Sequence, residues 1–174
     1  MSVYFRQMCL AMEEVAAHPA AVFIGQAVAR EGTAMSRTLA GVPDDKKVEL
    51  PVAEEMQMGL ALGLALAGDL PVAIYPRWNF LLLAMGQLVL HVDKLPVYSG
   101  WRCRPRVIVR TAVASPDPLD PGPQHLGDYT DPVAAMLRTV TVVKLDDARS
   151  IVPAYRDAVV REGSTLLVEH LGRY

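Results

Sequence analysis

Apolar runs of two lengths alternate along this chain, and that alternation narrows its fold more than any other feature. Short runs of strand length fall at residues 20–24, 48–50, 71–75, 106–111, 140–144 and 165–169. Between them lie stretches with helical spacing, at 4–17, 53–67, 80–92, 131–137 and 146–161. Strand and helix in regular succession give an α/β fold, a parallel sheet flanked by helices on both faces. Gly68, directly after the second helical stretch, is a common helix-ending residue. With 174 residues the chain is of single-domain size, so residues 1–174 read as one domain.

Apolar residues make up 52% of the chain, enough to bury a sizeable core. A formal net charge of −2 gives no basic footprint for nucleic acid and no polybasic patch for a membrane. Cys9 and Cys103 have no metal-ligand spacing and read as reduced thiols. Residues 1–11 carry Arg6 in a mixed polar stretch unlike a signal peptide, and the apolar run at 56–70 is too short to span a bilayer. The expected location is the cytoplasm. The stretch 112–129 reads as a loop with Pro116, Pro118, Pro121 and Pro123, ending in Gln124 and His125. Long loops in small domains are usually functional, and parallel sheets bind ligands beyond the carboxyl ends of their strands. Gly59, Gly63 and Ala67, four apart, suit close helix packing, either within the chain or against another subunit.

Several short motifs stand in a definite order. Val22-Phe23-Ile24-Gly25 comes first, then Ser36-Arg37, then Pro51-Val52-Ala53-Glu54 with Gly59 and Gly63. Tyr75-Pro76-Arg77-Trp78-Asn79-Phe80 follows, with Phe80 26 positions after Glu54. Lys94, Ser99-Gly100, Gly122-Pro123-Gln124-His125 and Leu167-Val168-Glu169-His170 complete the series. In order and spacing this resembles the transketolase-like pyrimidine-binding domain of thiamin diphosphate enzymes. The likeness is to the beta subunit of the 2-oxo acid dehydrogenase decarboxylating component.

The resemblance implies roles for four residues. Glu54 would hydrogen-bond a ring nitrogen of the aminopyrimidine and favour the tautomer that deprotonates the thiazolium carbon. Phe80 would stack on the pyrimidine and Trp78 would line the same wall. His125 would face the substrate end of the cofactor and transfer a proton or steady an oxyanion. Each also has a structural use: Glu54, like Glu55, suits the first turn of a helix. Phe80 could simply open an apolar helix, and His125 could be a loop histidine. His18, His91 and His170 show no ligand spacing and read as structural or exposed.

The family's diphosphate half carries Gly-Asp-Gly with a downstream Asn. Here Gly68-Asp69-Leu70 and Gly127-Asp128-Tyr129 lack the second glycine. The resemblance therefore implies an alpha-type, diphosphate-binding subunit on a separate chain, holding most of the magnesium, in a heterotetramer. The nearly all-round apolar stretch 80–92 suggests cover from such a subunit. No metal site is expected on this chain. The sequence ends at Tyr174, where the beta subunit would enter the linker to its third domain, which argues against a standard pyruvate dehydrogenase role. The chain also departs from the family in Gln26-Ala27, where acidic residues are usual, and in Gly86-Gln87 and Leu90. The expected function is the pyrimidine-binding subunit of a carboligase, a transketolase-like transferase or a 2-oxo acid decarboxylase, acting on a 2-oxo acid or ketose donor. Two alternatives stay open: a non-catalytic assembly or regulatory subunit, and an unrelated small-ligand-binding α/β module.

Overall fold

Six strands pair in parallel in the order β2-β1-β3-β4-β6-β5. They are β1 (Ala21–Gly25), β2 (Lys47–Glu49), β3 (Leu70–Ile74), β4 (Ile108–Val113), β5 (Thr141–Lys144) and β6 (Thr165–His170). The computed structural model describes residues 1–30, 32–117 and 120–174. Pro118, expected in the proline-rich loop, lies outside the described residues, as do Glu31 and Leu119. Strand positions agree with the sequence reading to within one or two residues.

Alternate strand residues enter different cores, as the two-residue repeat of a strand requires. Phe23, Val72, Ile74, Ile108 and Leu167 meet helices α1 (Val3–Ala16) and α7 (Ala148–Val160) on one face. Ile24, Ala73, Val109, Leu166 and Val168 belong to the core of the other face. That face carries α2 (Glu54–Ala67), α3 (Trp78–Leu82), α4 (Met85–Gln87), α5 (Leu95–Tyr98) and α6 (Thr130–Met136). The α/β sheet flanked on both faces is therefore present as expected.

The single helix expected over 80–92 is instead broken. It starts earlier, at Trp78, pauses after Leu82, and resumes through α4 into a π-helical turn, Leu88–Val92. The cause of the π-helical turn lies at its end. The wider turn, closed by Asp93 N–H donating to the Leu88 carbonyl (2.9 Å), carries the Asp93 carboxylate to the start of β5. There its Oδ1 accepts from the backbone N–H groups of Arg138, Thr139 and Val140, at 2.8, 2.7 and 3.0 Å. Lys94 Nζ donates to its Oδ2 at 2.5 Å.

Under α1 and α7, Arg110 of β4 and Glu169 of β6 form an ion pair with no exposed side-chain surface. Two hydrogen bonds join them, at 2.5 and 2.9 Å, and the Tyr174 hydroxyl donates to Glu169. The glutamate outweighs burial and keeps Arg110 charged.

The strand order defines where a ligand would sit. The chain leaves β1 toward β2 on one side and leaves β3 toward β4 on the other. Adjacent parallel strands whose connections diverge leave a crevice beyond their carboxyl ends. In this sheet that crevice lies between β1 and β3.

Candidate functional site

The crevice is built by three segments: the loop after β1, the start of α2, and the loop from β3 into α3. Gly25 ends β1 at φ +151, and a Cβ there would stand 2.6 Å from the Ile74 carbonyl oxygen. Only glycine lets β1 and β3 close this tightly. The next turn carries Ala27 at φ 52, a left-handed conformation that costs a non-glycine residue about 1 kcal/mol or more. Glu49, at the end of β2, holds the turn in place. Its carboxylate accepts from the backbone N–H groups of Ala27, Val28 and Ala29 at 2.6, 2.9 and 2.8 Å. Such a nest of N–H groups favours the anion. Burial works against Glu49, but the backbone donors outweigh it and lower its pKa.

That turn presents Gln26, whose Nε2 donates to Glu54 Oε1 at 3.2 Å. Glu54 opens α2 and is only 6% exposed. Its Oε2 accepts no hydrogen bond among the described residues. Glu55, the next residue, is exposed and takes a 3.4 Å hydrogen bond from Gln87. Both carboxylates suit the helix dipole, but only Glu54 turns inward. One helical turn on, buried Gln57 donates to the Ile74 carbonyl at 2.9 Å and fixes α2 against the end of β3. Tyr75, just beyond β3, donates its hydroxyl to the Glu54 carbonyl oxygen at 3.1 Å. Burial, and after it the Glu54 charge, push the Tyr75 phenol well above its ordinary pKa.

A second group gathers where α3 meets the loop after β4. Gly122, at φ +89, turns the chain into the short 3-10 turn Pro123–His125. The His125 ring lies 5.9 Å from the Phe80 ring, centroid to centroid. Its Nδ1 is 2.9 Å from Asn79 Oδ1. Phe80 and His125 are both half-buried. Trp78, expected beside Phe80 on the cofactor wall, has no exposed surface; it packs edge-on to Tyr129 at 6.3 Å. Phe80 and His125 are thus in contact, Glu54 meets Gln26 and Tyr75 at the start of α2, and Trp78 lies inside the core.

At the same sheet edge, on the α1 side, a cleft of about 440 Å³ is lined by Arg37, Arg77, Ser115, Asp117 and Tyr174. Among the described residues no cluster of three or more His, Cys, Asp or Glu is placed to hold a metal ion. No helix among them is long and apolar enough to cross a membrane.

The sequence reading did not single out Glu49, Tyr75 or Asn79 as site residues, and it noted Gln26 only as a departure. The available signals were weak: Asn79 sits inside a motif, and Gln26 follows the strand-ending glycine. Glu49 gave none, since its partners are backbone groups brought near by β1–β2 pairing.

The site and topology together define a parallel α/β domain with its ligand crevice at a sheet switch point. No protein-family model and no curated protein matches the sequence. A solved structure does match in fold: "Split gene transketolase, inactive beta4 tetramer", with a TM-score of 0.73 and 18% identity. The match covers 96% of this chain and 51% of that one, so the present chain spans about half its length. The likeness is one of fold: a six-stranded parallel α/β domain similar to part of that split-gene transketolase chain.

Proposed function

We propose that residues 1–174 serve as the pyrimidine-binding half of a thiamin diphosphate enzyme, with the diphosphate-binding half and its magnesium on another chain. The observation that carries this reading is Glu54, a buried carboxylate at the sheet switch point with one oxygen held by Gln26 and the other unpartnered among the described residues. The chemistry of those residues suits the cofactor's ring. Glu54 Oε2 would take a ring nitrogen, Phe80 would offer a flat apolar face, and Trp78 would support that wall from within the core. Bound thiamin diphosphate supplies an acidic thiazolium carbon, the source of the nucleophile in its chemistry. With the cofactor bound, Glu54 would share a proton with the ring, Gln26 would keep its carboxylate aimed, and His125 would move a proton at the substrate end. The reaction class is carboligation, ketol transfer or 2-oxo acid decarboxylation, on a 2-oxo acid or ketose donor.

An exposed apolar stripe on α2 supports a partner chain. Met56 (50% exposed), Leu60 (39%), Gly63 and Ala67 follow one helix face outward, and α2 is apolar nearly all round. A Cβ on Gly63 would touch nothing, and one on Gly59 would meet only the Gln87 side chain at 3.9 Å. Tight packing within the chain therefore does not account for the glycines. Leu83 and Leu90, expected under a second subunit, are exposed on the same side of the sheet. The similar solved structure is described as an inactive tetramer of beta chains. By analogy this chain alone is inactive, and a tetramer with two diphosphate-binding chains is the working form.

The test is deuterium exchange at the thiazolium carbon in the reconstituted pair. Glu54→Gln should slow exchange by about 100-fold or more, while Glu55→Gln changes it only a few-fold. Equal, wild-type exchange in both variants would replace this reading with that of a non-catalytic subunit.

A further inference from the structure

Among the described residues His125 makes two polar contacts, and they agree on where its proton sits. Its Nδ1 lies 2.9 Å from Asn79 Oδ1, and its Nε2 lies 3.3 Å from the amide nitrogen of Gln124. A carbonyl oxygen can only accept, so Nδ1 must carry the hydrogen; an amide NH2 can only donate, so Nε2 must offer a lone pair. The opposite tautomer would set acceptor against acceptor at one nitrogen and donor against donor at the other.

We propose that Asn79 and Gln124 hold His125 as the neutral Nδ1–H tautomer, with Nε2 as the proton acceptor this loop presents. Asn79 is then a positioning residue. The geometry stands by itself; its use in catalysis rests on the function proposed above. The two contacts differ in permanence. Asn79 is half-buried in the first turn of α3, whereas Gln124 is exposed to solvent. A ligand replacing Gln124 at Nε2 must therefore bring a hydrogen of its own, as a hydroxyl does and a bare carboxylate does not. When that O–H bond breaks, its proton forms the new N–H bond at Nε2 and the electron pair stays on the ligand oxygen. Nδ1–H continues to donate to Asn79, so the ring need not turn between taking the proton and returning it.

The test uses the chain by itself, labelled with nitrogen-15, in two-bond proton–nitrogen spectra of the histidine rings at mildly alkaline pH. Loss of one ring's signals in His125→Gln assigns that ring among the four histidines. In the wild type, His125 should show a protonated-type shift at Nδ1 and a lone-pair-type shift at Nε2. Asn79→Ala should move the ring toward the Nε2–H form, and Asn79→Asp, which keeps an acceptor at Nδ1, should restore the original pattern. Gln124→Ala should leave Nδ1 protonated. An Nε2–H ring in the wild type, or an unchanged pattern in Asn79→Ala, would overturn the proposal. Cofactor binding plays no part in this readout, so a chain with the expected tautomer and no thiamin diphosphate activity would sink only the proposed function.

Discussion

Arg110 and Glu169 are both sealed beneath α1 and α7, where a lone charge is far costlier than a pair. Their energetics follow from that enclosure. Arg110→Met should destabilise the fold by about 3–5 kcal/mol in urea unfolding, because Glu169 is left charged and buried. The double change Arg110→Met with Glu169→Leu should cost much less, since no unpaired charge remains. Equal losses in single and double variants would show that packing, not charge, dominates there. Glu49 acts at longer reach, through the N–H nest that shapes the Gln26 turn. Glu49→Ala should loosen that turn and speed amide exchange at Ala27, Val28 and Ala29, with little change at β6. At this scale legibility was partial. Glu54 stood out because motif order singles it from Glu55, and the structure turns only Glu54 inward. Gln26 and Glu49 act through contacts created by strand pairing, which local sequence does not display.

Among the elements, the π-helical turn was the least legible. Leucine-rich spacing over 80–92 reads as one continuous helix, and the seating of Asp93 on three backbone N–H groups accounts for the π-helical turn. This Asp also sets a pH limit. Burial alone would raise its carboxyl, but Lys94 and the N–H groups of Thr139, Val140 and Arg138 outweigh it and hold the pKa at about 2. A folded-state pKa below the unfolded value, about 3.9, gives stability that is present above that value. It is lost as pH falls from about 4 toward about 2, and amounts to roughly 2–3 kcal/mol. Asp93→Asn should lower stability at neutral pH and flatten the unfolding curve across that acid window. On α2, Gly63 faces open space, so Gly63→Leu should leave thermal unfolding of the lone chain unchanged or raised. The same variant should weaken association with the partner chain at least tenfold by light scattering. Normal association would place the interface elsewhere.

For the whole molecule, alternating apolar runs were enough to give a parallel sheet covered on both faces, because burying both faces leaves strands little choice of composition. Strand order was not legible, since it depends on the side to which each crossover turns. That order matters most here, because it puts the crevice between β1 and β3 and brings Gln26 and Glu54 together. The proposed function makes this chain one half of a divided cofactor site. Calorimetric titration of thiamin diphosphate with magnesium tests it directly, first into this chain, then into its mixture with a diphosphate-binding chain. Binding should be weak or unmeasurable with the chain alone and stoichiometric with the mixture. Tight, stoichiometric binding by the chain alone, or none by an assembled mixture, would contradict it.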